Sequence, residues 1–212
     1  MRRRAPTSNA KVSPASISTT SCTSSISTAR ATSVPGGACS ESVIAIIARC
    51  QECSAEFSWH VATMALVFAA HAPAGTDVDR VIRMLLVHDL VEIDAGDTFA
   101  FDAVGLQDRD ARERAAADRL YALIPGGERL RALWEEFDAG ETPDARYANA
   151  LDRLAPLLLN LATEGGTWRE HGVQRSAVRR RMAPIATGLA AIWPAVQAAI
   201  DDAVAAGWVG PD

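Results

Sequence analysis

Apolar positions in this chain recur at helical rather than strand intervals along most of its length. From Glu56 to about His71, the residues Trp59, Ala62, Met64, Leu66, Val67 and Ala70 wrap most of a helix, which predicts a largely buried element. A second helix is expected after Thr76, read as its N-cap with Asp77 and Asp79 in the positive first turn. It runs through VIRMLLVHDLVEI to an end at Gly96. DRDARERAAADRLYALI predicts another helix, closed by Pro125, Gly126 and Gly127, and ERLRALWEEFDAG one closed by Gly140. Pro143 suits the first turn of the next, ARYANALDRLAPLLLNLA. The stretch from Gln174 to Gly207 predicts one or two more, with Pro184 and Pro194 marking boundaries or kinks. No segment alternates convincingly and no internal repeat is visible, so the expected fold is all-α, a single bundle of five to seven helices.

Composition adds a division between two regions. Residues 1–40 hold sixteen Ser or Thr, five Lys or Arg and no acidic residue, whereas residues 41–212 hold 16 basic and 26 acidic residues, a net −10. The first region has few large apolar residues and no period, so it is expected to be a disordered extension; a transit peptide is the alternative that its Arg-rich, Ser-rich composition allows. The acidic second region, read as the folded domain, argues against a nucleic-acid partner, whose affinity rests on neutralised phosphates. No apolar run reaches the roughly 18 residues of a membrane span, so no membrane partner is expected. Four cysteines, two of them in the first 40 residues, make a poor disulfide framework, and the expected compartment is the cytoplasm.

Chemistry is concentrated in VIRMLLVHDLVEIDAGD. The pair His88-Asp89 interrupts an apolar run, and an unpaired carboxylate buried there would be costly. A divalent cation is one remedy, since imidazole and carboxylate are ordinary ligands of Mn, Fe, Co, Ni or Zn; a hydrogen-bonded structural pair is the other. Glu92, four residues after His88, is expected on the same helix face, where an acid could orient or deprotonate water, and Asp97 at the helix end. Asp152 is a second carboxylate on an apolar helix, among Leu151, Leu154, Leu157 and Leu158. A salt bridge to Arg153 or Arg146 competes with a role as a ligand from a distant helix. Because adjacent helical residues point apart, the ligand reading gains ground.

The segments AEFSWHVATMAL, LLVHDLVEIDAGDTFAFD, ERAAADRLYALIP, LWEEFDAGETPDARYANALDRLAPLLLN and GGTWREHGV together resemble the HD-domain metal-dependent phosphohydrolases, in the bacterial branch close to the 5'-deoxynucleotidases, over about residues 50–207. The resemblance implies a helical HD fold, one divalent metal, hydrolysis of deoxynucleoside 5'-monophosphates and a homodimer. It assigns His88, Asp89 and Asp152 to the metal, and Glu92 and Asp97 to the places beside water and substrate. The first metal-binding His of the pattern is replaced by Phe57, in A-E-F-S-W-H. His60 follows three residues later, about 300° round a helix and about 4.5 Å along it, and is the candidate substitute ligand. Without it, the site keeps three protein ligands, or the chain is a non-catalytic HD-domain protein acting by ligand binding or as a scaffold. The basic residue that relatives place ahead of this motif has only a displaced counterpart, Arg49, in R-C-Q-E, where Glu52 matches.

Three further features have two readings each. Cys50 and Cys53 form a CxxC, but no βαβ pattern and no second pair accompany it, which favours coincidence. The segment Gly165–Gly172 is either a loop over the pocket, with Trp168 or Arg169 touching a ligand, or a helix connection with a packed Trp. The run Arg179-Arg180-Arg181 either attracts phosphate or is a solvated helix face.

Overall fold

The computed structural model describes residues 54–212. The expected disordered extension, Arg49, Glu52 and the Cys50/Cys53 pair lie outside the described residues. Within them the chain forms α1 (Ser54–Val67), α2 (Val78–Val87), α3 (Glu92–Ala95), α4 (Arg109–Ala122), α5 (Gly127–Ala139), α6 (Pro143–Ala162), α7 (Gly166–Glu170), α8 (Arg175–Met182), α9 (Ile185–Gly188) and α10 (Trp193–Ala205). Seven of these have eight residues or more, in keeping with the expected all-α bundle. Among the described residues, strand-like pairing is limited to one isolated bridge, Gln174 to Gly210.

The longest helix, α6, is the axis of the domain. Thr142 caps it by accepting from the Ala145 N–H at 3.1 Å, and Pro143 takes the first turn, where its missing N–H costs nothing. Tyr147, Leu151, Leu154 and Leu157 are buried along its length against Val61, Met64 and Ala65 of α1 and Val81, Met84 and Leu85 of α2. Tyr147 also donates its hydroxyl to the Ala65 carbonyl at 2.9 Å, so its polar tip is satisfied inside the core. Each fully buried Leu here contributes about 1.5–3 kcal/mol of transfer free energy. On the far side α9 approaches α6 so closely that a Cβ on Gly188 would lie 2.0 Å from the Arg146 carbonyl oxygen, which only glycine permits. A smaller cluster, Val91, Ala116, Ala117, Tyr121 and Trp134, joins α4 and α5 to the chain after α2.

Three local expectations are corrected. Asp77, not Thr76, caps α2: its side chain accepts from the Arg80 N–H at 3.1 Å, while its own N–H donates to Asp144 on α6 at 2.8 Å. The first helix is buried on one side only. Trp59, Leu66 and Val67 are exposed, because α2 and α6 cover only the face carrying Ser58, Val61, Ala62, Met64 and Ala65. The second helix does not run on to Ile93. It stops at Val87, and the next turns use tighter bonds, Leu90 N–H to Val87 O and Glu92 N–H to Asp89 O.

Candidate metal centre

The break in the second helix occurs at the His-Asp doublet and has an identifiable cause. His88 Nδ1 lies 2.7 Å from the Leu85 carbonyl, the acceptor that a continuing α-helix would offer to the Asp89 N–H. A carbonyl only accepts, so Nδ1 is the donor and this bond fixes the tautomer. Nε2 then faces two carboxylates, Asp89 Oδ1 at 3.0 Å and Asp152 Oδ1 at 3.5 Å. Neither lies along a hydrogen-bond direction, and Nε2 is buried without a directed partner. Phenyl rings close the flanks, Phe57 at 6.0 Å and Phe137 at 4.9 Å between centroids. His88 is 4% exposed and Asp152 7%.

Burial alone would push this imidazole towards its neutral form, but the charges of Asp152 and Asp89 outweigh it and raise its pKa. Burial would likewise raise Asp152, yet Arg153, His88 and Arg181 hold it below the usual carboxylate range. Asp152 does pair with Arg153, although the two are sequence neighbours. Adjacent helical residues point apart, but an arginine is long enough to fold back, and both side chains sit where little water reaches. Pro156, one turn on, has no N–H to offer the Asp152 carbonyl, so the backbone of α6 is also opened at this point.

These groups form one wall of a cavity of about 360 Å³ that Glu92 and Asp97 also line. Glu92 belongs to α3, past the break, and reaches the cavity from a separate short helix rather than from the face predicted for a continuous one. Burial, with Asp89, Asp97 and Glu113 adding repulsion, pushes its carboxyl up to about 8, and Asp89 is pushed up to about 6 mainly by burial. Gly96, at φ 82°, turns the chain out of α3 and sets Asp97 at the start of the following loop. Arg112 of α4, a side chain with no periodic signature, fastens that loop. It donates to the carbonyls of Ala95 at 2.6 Å and Gly105 at 3.1 Å, to Thr98 Oγ1 at 2.8 Å and to Asp108 Oδ1 at 3.0 Å.

Phe57 lines the cavity, whereas His60, partly buried on the same helix, does not. The structure therefore brings together His88, Asp89, Asp152, Glu92 and Asp97, and leaves His60 outside the lining. Residues 166–170 form α7, with Trp168 buried and Arg169 exposed, so the packed-Trp reading holds, and Trp168 presents part of its ring to the cavity. The arginine run divides: Arg179 pairs with Asp201, Arg180 is exposed and Arg181 lines the cavity. Arg112, Arg109 and Arg181 were not singled out from the sequence individually, and only the run containing Arg181 gave any signal.

Does the donor set suit a metal ion? Among the described residues no three His, Cys, Asp or Glu side chains stand ready-made as a coordination sphere. His88, Asp89 and Asp152 meet instead at ion-pair distances, so seating an ion requires the carboxylates to turn. In chemistry they fit: a fixed-tautomer imidazole whose second nitrogen lacks a directed partner, and two carboxylates beside it. The Phe57 ring, which lines the same cavity, offers no donor.

A family profile described as HD domain matches residues 44–193. The fold is similar, at TM-score 0.71 and 49% identity, to a crystal structure from Magnetospirillum magnetotacticum described as a "predicted metal-dependent phosphohydrolase", over 76% of this chain and 83% of that one. The sequence is 30% identical over 107 residues to the 5'-deoxynucleotidase HDDC2 of Xenopus laevis and 29% identical over 101 residues to its Homo sapiens counterpart. The matched stretch spans 53% of the Xenopus protein and 50% of the human one, so this chain covers about half the length of these curated relatives. With the profile spanning most of the chain and the helical fold agreeing with it, this protein belongs to the HD-domain family.

Proposed function

We propose that this protein is a metal-dependent phosphohydrolase acting on phosphate monoesters, with deoxynucleoside 5'-monophosphates as its substrate class. The observation that supports this most is His88 Nε2, buried without a directed partner between Asp89 and Asp152. His88, Asp89 and Asp152 would hold a divalent ion, drawn from Mn, Fe, Co, Ni or Zn. When bound, such an ion supplies positive charge that polarises a phosphoryl group and acidifies water. Glu92, whose desolvated carboxyl has a pKa pushed up to about 8, would be ionised by the charge of a bound ion and would then take the proton from the attacking water. Asp97, on the loop fastened by Arg112, orients substrate or water from the opposite edge. The substrate class follows the names of the relatives.

The Phe57 ring supports a second reading, in which a degenerate metal site leaves a ligand-binding or scaffold role. Elemental analysis of protein purified without chelator separates the two. The first predicts about one divalent ion per subunit in the native chain, tighter binding in Phe57→His, and loss in Asp89→Ala by at least about 100-fold, since even groups behind the ligands cost 10–100-fold. Metal bound by Phe57→His alone, with no turnover of deoxynucleoside 5'-monophosphates by the native chain in Mn or Co, would establish the second.

A further inference from the structure

The cavity also has a cationic side. Arg109, Arg153 and Arg181 line it together with the carboxylates, although the chain around them is acidic. Two of the three are already engaged: Arg109 lies 3.2 Å from Glu113 and 3.6 Å from Asp110, and Arg153 pairs with Asp152. Arg181 differs. It is partly buried at the end of α8 and makes neither a hydrogen bond nor an ion pair with any described residue. Its two neighbours in the run show that this is not a general feature of the helix, since Arg179 is tied to Asp201 at 2.8 Å and Arg180 stands in solvent.

A guanidinium does not shed its proton under any ordinary condition, so a partly buried one with no carboxylate paired directly to it is a standing cost to the fold. Here the cost is compounded, because the charge acting most strongly on Arg181 is another cation, Arg153, followed by Asp152, Arg109 and Glu92. Burial and these like charges pull its pKa down to about 10. Arg181, open to the cavity beside an Arg153 that is already paired with Asp152, is complementary to an anion with several equivalent oxygens. A phosphate dianion matches it, since a planar fork binds such oxygens in pairs. The place is also right, because Asp152 is one residue from Arg153 and 3.5 Å from His88 Nε2.

We propose that Arg181, with Arg153 beside it, forms the phosphate-binding side of this cavity and takes the non-reacting oxygens of a phosphomonoester dianion. The assignment rests on the phosphohydrolase reading and places the substrate contact on α8.

Titration calorimetry of inorganic phosphate into the full chain, with and without Mn²⁺, tests it. Arg181→Gln is expected to weaken phosphate binding by about 10- to 100-fold, the size of a lost charged hydrogen-bond pair. Arg181→Lys, which keeps the charge but not the fork, should fall between that variant and the native chain. Arg180→Gln removes the same charge from the same helix and should change binding by less than about twofold. Affinity for Mn²⁺ should not weaken in Arg181→Gln, which separates phosphate contact from support of the metal set. A folded Arg181→Gln that binds phosphate like the native chain overturns the assignment. So does a native chain that binds Mn²⁺ but no phosphate, and the metal reading survives that result. Should Arg181→Gln not fold, Arg181→Lys decides: native phosphate affinity in it overturns the proposal, and weakened affinity supports it. Arg181-dependent phosphate binding in a chain that hydrolyses no phosphomonoester keeps the anion site and removes the hydrolase.

Discussion

The two edges of the cavity are built in different ways. His88 follows directly on the end of α2 and Asp152 projects from α6, and the neighbouring side chains Leu85, Leu151 and Leu154 are sealed in the main core. Asp97 and Thr98 lie on a loop that a partly buried arginine of α4, Arg112, fastens by hydrogen bonds to Ala95, Thr98 and Gly105. The first arrangement couples the position of a functional group to the stability of the whole domain. The second uncouples them, because a loop pinned by polar contacts can open locally while the core stays folded. A cavity that must hold charged groups in place and still admit a ligand gains from having one edge of each kind.

The largest effect should come from the core edge. Leu151→Ala removes a fully buried side chain next to Asp152 and is expected to cost about 2–5 kcal/mol, read as a lowered chemical-denaturation midpoint with an unchanged slope. A smaller loss of global stability, below about 1.5 kcal/mol, is expected for Arg112→Met, because several of its bonds join groups that water can also serve. Hydrogen exchange across residues 96–108 should nevertheless quicken, and turnover should fall by about 100-fold if Asp97 shifts by about 1 Å. If Arg112→Met melts as far below the native chain as Leu151→Ala, the contrast between the two edges is wrong.

Glu92, between the edges, gives the smallest and most specific signal. In chelated protein its folded carboxyl keeps a proton up to about 8, whereas in the unfolded chain it loses it near 4.5. The folded state thus binds the extra proton in that window, and stability contributed by this site is lost as pH rises through it. Glu92→Gln cannot ionise. Its melting temperature should match the native chain at acid pH and exceed it above pH 8, and equal melting curves at both ends would show that the carboxylate is not desolvated.

How much of this was legible beforehand can be traced residue by residue. The bundle was, because helical spacing of apolar residues and the marks at Gly140, Pro143 and Gly96 are local signals that packing reinforced. His88, Asp89 and Asp152 could be nominated because a charged side chain within an apolar run must find a partner. The helix break after Val87 could not be foreseen, since it depends on an imidazole taking a backbone carbonyl, and propensity carries no trace of that choice. Arg112 was invisible for a related reason: its partners are mostly carbonyl and hydroxyl oxygens of an irregular loop, brought within reach only when α4 packs beside α3.

The sequence by itself determined that the domain is helical, which faces are apolar and which buried-type positions carry charge, because these follow from intervals along the chain. Only the tertiary structure decided which charges meet. Asp152 lies 64 residues from His88 in the chain yet 3.5 Å away in space, and Arg181 parts from Arg179 and Arg180 by turning towards a cavity lined from seven helices. Coulomb energy and desolvation depend on those distances and on burial, neither of which exists before the helices pack.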